Sequence, residues 1–102
     1  MIYLKADHLK LVLDILNKHV PDREVRAFGS RTDLNASENS DLDLVIMGAA
    51  PVGWRIMSAL RNDFEESLLP IKVDIMDWND IPENFKNNIN KRNEIIKSLD
   101  QL

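Results

Sequence analysis

Apolar residues return every three or four positions between Ala6 and His19, at Leu9, Val12, Leu13 and Leu16, with Val20 just beyond. That spacing gives an α-helix one buried stripe, and Pro21 ends it because a proline ring cannot continue the helix. The pattern then shortens. Glu24 to Phe28 reads as a first strand and Asp41 to Met47 as a second, whose Leu42, Leu44 and Ile46 form an apolar face that needs helical cover. Thr32 to Ser40 is polar, rich in Asn, Ser and Asp, and predicts a short helical turn and loop. Gly48-Ala49-Ala50-Pro51 is a turn, after which Pro51 or Val52 starts a helix. In it Trp54, Met57, Leu60, Arg61 and Phe64 recur at helical spacing, with Trp54, Met57 and Phe64 expected in the core. Ile71 to Met76 is a third strand with Ile71, Val73 and Ile75 on one face and Lys72, Asp74 and Met76 on the other. Asp80-Ile81-Pro82-Glu83 has an acidic cap with an acid three residues on, a helix start that leads into a polar helix over 83–90. From Lys91 the chain is expected to form a further short helix or to fray.

Three acids stand out against this pattern. Asp41 and Asp43 in Ser40-Asp41-Leu42-Asp43-Leu44 are two residues apart, so on a strand both carboxylates point to one side. Strand parity places Asp74 where it can join them, and selects it over Asp77. Like charges held close push one another toward protonation unless cations neutralise them, and oxygen donors of this kind suit Mg²⁺, which is held by one or two carboxylates together with substrate phosphates. Upstream, Phe28-Gly29-Ser30-Arg31 supplies a complementary group. Gly29 gives the backbone room to turn and approach a ligand, and Ser30 offers a hydroxyl and an amide. If a helix begins at Ser30, its unpaired N–H groups form an anion pocket. Arg31 adds forked donors suited to phosphate oxygens.

Gly-Ser, then Asp-x-Asp, then a third Asp on a later strand resembles the DNA polymerase beta-like nucleotidyltransferases. The chain is similar in particular to the minimal nucleotidyltransferases, and the resemblance extends through Val73-Asp74-Ile75-Met76-Asp77-Trp78-Asn79-Asp80-Ile81-Pro82 to Phe85 and Ile89. The resemblance implies an α/β (α+β) polymerase beta-like fold, a small mixed sheet of about three to four strands with helices packed on one face. It also implies that Gly29 and Ser30 hold the triphosphate, with Arg31 and Ser40 completing the nucleotide site. Asp41, Asp43 and Asp74 would then be the catalytic and metal-binding triad for two Mg²⁺ ions, with ATP as donor. Thr32-Asp33-Leu34 departs from the small residue and glycine that members commonly carry there. Minimal nucleotidyltransferases are commonly paired with a HEPN-domain toxin, and the resemblance implies an antitoxin that adds AMP to a tyrosine of such a partner. A non-catalytic binding module and an adenylyltransferase of a small aminoglycoside-like molecule are the alternatives.

Composition narrows the classes without choosing among them. At 102 residues the expectation is a single domain over 1–102, in a homodimer or hetero-oligomer. The net charge of −4 argues against direct nucleic-acid gripping, which needs clustered Lys and Arg. With no cysteine, thiol catalysis and zinc–thiolate sites are excluded, and a cytoplasmic location without membrane association is expected. His8 and His19 read as surface residues, Trp78 is open to several roles, and Lys86, Lys91, Arg92 and Lys97 read as a solvated face.

Overall fold

The computed structural model describes residues 4–29 and 41–98. The helix α1 (Ala6–His19) leads into β1 (Val25–Phe28) and β2 (Leu42–Ile46). Then come α2 (Trp54–Glu66), β3 (Val73–Asp77), a 3₁₀ turn at Trp78–Asp80, α3 (Glu83–Lys91) and β4 (Glu94–Lys97). The strands form one mixed sheet in the order β3-β2-β1-β4. Strand β1 runs antiparallel to both β2 and β4, while β2 and β3 are parallel, joined by the α2 crossover.

Strand alternation divides the sheet into two differently covered faces. On one side Val25, Ala27, Leu42, Leu44, Ile46 and Ile75 pack with Val12, Ile15 and Leu16 of α1 and Met57, Leu60 and Phe64 of α2 in the main core. Of the predicted stripes, Val12, Leu16 and Val20 and, on α2, Met57, Leu60 and Phe64 are buried, whereas Leu9 and Leu13 are only half-buried, Ile15 takes their place in the core, Arg61 is exposed, and Trp54 is 73% exposed. Gly53, at φ +94°, is the N-cap and delays the helix to Trp54, so that Trp54 sits in its first turn, outside the seam. On the other side Phe28, Val45, Ile81 and Ile89 form a second cluster with Met47, Met76 and Trp78 packed against it. Helices therefore lie on both faces. The expected one-sided arrangement describes α1 and α2, and α3 turns back after the 3₁₀ turn to cover part of the opposite face.

The segment after Lys91 is neither helix nor frayed end. Glu94–Lys97 pairs with β1 as an edge strand, as suits β-branched Ile95 and Ile96. Lys97 leaves the expected solvated face: it is 3% exposed, and its Nζ donates to the carbonyls of Pro21 (2.9 Å) and Arg23 (2.7 Å). Burial lowers its pKa, with Asp22 opposing the shift. His19 also departs from the surface reading: its ring is half-buried and hydrogen-bonded to Asp63 of α2, tying the two helices together.

Asp77 is the buried polar anchor at the end of β3. Its carboxylate accepts from the Val52 N–H (2.7 Å), the Asn79 N–H (3.0 Å) and the Asn79 side-chain amide (2.9 Å). Asn79 also donates to Gly48 and Ala50, while Arg23 reaches the carbonyls of Met47, Ala50 and Pro51, so the turn before α2 is fixed from two sides. Burial alone would raise the Asp77 pKa, but these donors and the Arg23 charge together hold it below the ordinary value. The stabilisation is present above the usual Asp range and is lost as pH falls through the lowered folded value. Asp77→Asn keeps the shape but turns one acceptor into a donor. It is expected to cost about 2 kcal/mol by urea unfolding at pH 7, a difference that shrinks in strong acid as the wild type becomes protonated.

Candidate active site

Register builds the site. Phe28 of β1 pairs with Asp43 of β2, and Asp43 pairs with Asp74 of β3. Paired residues point to the same side of a sheet, so an aromatic ring and two carboxylates form one row across three adjacent strands. The row lies on the face that α3 only partly covers. Asp41, immediately before β2, is exposed and shares that side by parity. Gly29 follows Phe28 and has φ +76°, a left-handed conformation that glycine adopts without strain. A Cβ there would collide with the Asp43 Oδ2 and lie 3.3 Å from its Cγ, so glycine is required by space as well as by backbone. Ser30, Arg31, Ser40 and the Thr32-Asp33-Leu34 departure lie outside the described residues.

Asp43 is the strained member of the row. Burial is the largest influence raising its pKa, followed by the charges of Asp74 and Asp41, with Lys72 opposing them. The Lys72 Nζ stands 3.6 Å from the Asp74 Oδ1 with its side chain 70% exposed, a pair too solvated to offset the repulsion. A hard cation would relieve it, and the donors are the carboxylate oxygens that Mg²⁺ takes, so the residues present fit such an ion. Among the described residues, no three acids or histidines are drawn into a closed cluster. Asp43 and Asp74 are adjacent, and Asp41 acts on Asp43 through its charge.

Two clefts flank this row. One, of about 620 Å³, runs between α2 and β3 and is bordered by Arg61, Phe64, Lys72 and Asp74. The other, of about 430 Å³, opens on the opposite side against α3, and both Gly29 and Asp43 line it. Its other wall consists of Phe85, Asn88 and Ile89 of α3, a face at helical spacing, with Arg92 at the helix C-cap. The sequence reading did not assign Asn88 or Arg92 to the site, although their i, i+3, i+4, i+7 relation to Phe85 and Ile89 was the available signal. Phe28 was also missed, because its role comes from pairing with Asp43.

The mixed sheet thus presents Asp43 and Asp74 on one face with Gly29 against Asp43, and Asp41 shares that face by parity. A family model described as polymerase beta, nucleotidyltransferase matches residues 10–102, and the chain belongs to that family of nucleotidyltransferases. It is 38% identical over 98 residues to the probable protein adenylyltransferase MntA of Haemophilus influenzae, covering 96% of this chain and 86% of that one. Among solved structures it resembles a chain of a toxin–antitoxin with AMP-PNP, with TM-score 0.73, 18% identity, and coverage of 91% of this chain and 75% of that one. It also resembles a chain of the tri-AMPylated Shewanella oneidensis HEPN toxin in complex with MNT antitoxin, with TM-score 0.71, 15% identity, and coverage of 96% and 76%. These two likenesses show a shared fold, and the family match makes it the polymerase beta-like one. Among the described residues, no helix is long and apolar enough to cross a membrane.

Two outcomes follow from the geometry. Because the folded Asp43 pKa is raised, its ionised form opposes folding as pH rises through that value and at neutral pH. With divalent ions chelated, Asp43→Asn should therefore raise the midpoint of thermal unfolding at pH 7, and the gain should vanish below the ordinary Asp range. Gly29→Ala should cost about 1–2 kcal/mol by urea unfolding from its left-handed backbone alone, with a further loss from the collision with Asp43.

Proposed function

We propose that this nucleotidyltransferase is a Mg²⁺-dependent protein adenylyltransferase that moves AMP from ATP to a tyrosine hydroxyl of a HEPN-type partner and thereby acts as its antitoxin. The observation that carries this reading is the Asp43–Asp74 row beside Gly29, on a chain 38% identical to a probable protein adenylyltransferase. Support for the partner comes from the likeness to a chain in the AMPylated HEPN toxin complex. We also propose a single domain over residues 1–102 and a cytoplasmic location, in a homodimer or a hetero-oligomer with the partner.

In this mechanism Asp41 and Asp43 hold the metal sites, and Asp74 completes them. Mg²⁺ held by these carboxylates would neutralise the triphosphate charge and ease ionisation of the acceptor hydroxyl. The backbone at Gly29, with Ser30, Arg31 and Ser40, orients the triphosphate. The acceptor oxygen attacks the α-phosphorus, forming the new P–O bond, and the bond to the bridging oxygen breaks to release pyrophosphate. The hydroxyl proton passes to the Asp74 carboxylate. Catalysis here is mostly positioning and charge neutralisation, as is general for such transfers.

Intact-mass analysis of the co-purified partner after incubation with ATP and Mg²⁺ tests the reading. The expected result is a gain of whole AMP units with the wild type and none with Asp41→Asn/Asp43→Asn, while the complex persists. Neutralisation of the partner without any mass gain would overturn adenylyl transfer in favour of a binding module.

A further inference from the structure

The cleft between the acid row and α3 has a lining that suits one end of a nucleotide. Phe28, Gly29 and Asp43 form one wall, and Phe85, Asn88, Ile89 and Arg92 form the other. Its volume, about 430 Å³, falls within the usual range for small-molecule sites. Phe85 meets Phe28 at an interplanar angle of 82° with ring centres 5.9 Å apart, and stays 38% exposed. Phe28 is thus buried as a support, and Phe85 keeps ring surface for another flat group. One turn further along α3, Asn88 adds an amide, which presents a donor and an acceptor together. Among the described residues, the charged groups lining the cavity are Asp43 and Arg92, which brings positive charge to it.

We infer that this cavity takes the base of the donor nucleotide, with Phe85 stacking on the purine ring and the Asn88 amide reading the adenine edge. This assignment rests on the adenylyl-transfer reading above and adds the residues that select ATP. Aromatic rings stack on any base, so Phe85 supplies affinity without choosing among purines. An amide matches the N6 donor and N7 acceptor of adenine, whereas guanine presents two acceptors there, so Asn88 supplies the choice. The larger cleft along Asp74 is left to the acceptor, on the side of the carboxylate that receives its proton.

Equilibrium binding of non-hydrolysable ATP and GTP analogues to the full chain with Mg²⁺ tests this without needing an acceptor. Asn88→Leu, a change on the exposed side of α3, should weaken the ATP analogue about tenfold and leave the GTP analogue unchanged. Phe85→Ala should weaken both by about tenfold. An Asn88→Leu protein that keeps the wild-type preference overturns the assignment, whatever Phe85→Ala does. So does a wild type that binds neither analogue. A wild type that binds the ATP analogue with these variant effects but transfers nothing would instead remove the adenylyl-transfer reading and leave the base site standing.

Discussion

The structure turns on the parallel pairing of β2 with β3, which sets Asp43 beside Asp74. Two carboxylates on neighbouring strands, with a third just before one of them, work against the fold while nothing offsets their charge. Burial first, and then the charges of Asp74 and Asp41, push the Asp43 pKa above its ordinary value. Folding accepts it because the same two strands contribute Leu42, Leu44, Ile46 and Ile75 to a core covered by α1 and α2. Apolar burial on one face thus holds in place an electrostatically unfavourable arrangement on the other. Such an arrangement is what a site built for cations and a polyphosphate requires.

The surrounding architecture keeps that arrangement rigid. Asp77, three residues beyond Asp74 and so on the covered side, locks the turn before α2 through Val52 and Asn79, while Arg23 braces the same turn from the opposite direction. Lys97 ties β4 to the chain entering β1. Gly29 fills the remaining gap by having no side chain, which lets the backbone after β1 lie against Asp43. A rigid frame and an open face are compatible here because α3 covers only the part of the sheet around Val45, Ile81 and Ile89.

Much of this was legible in the chain, for reasons that are local. Periodicity located α1 with its observed ends, and strand parity separated Asp74, on the open face, from Asp77, buried against the turn before α2. What was not legible depends on partners distant in sequence. Trp54 fits the α2 spacing, yet the left-handed Gly53 starts the helix so late that the ring projects outward. Lys97 looked like one of several exposed cations until β4 paired with β1 and brought the carbonyls of Pro21 and Arg23 to its amine. Phe28 joined the acid row only through register, and α3 reached the second face only through the turn at Trp78–Asp80.

The most direct test of the central claim is the titration of the Asp43 carboxyl carbon by NMR, with and without Mg²⁺ and a non-hydrolysable ATP analogue. Asp43 should titrate above the ordinary Asp value in the protein alone and drop below it once the ion and nucleotide are bound. An Asp43 carboxyl that titrates at the ordinary value in the free protein, or does not respond to the ion and nucleotide, would contradict the account.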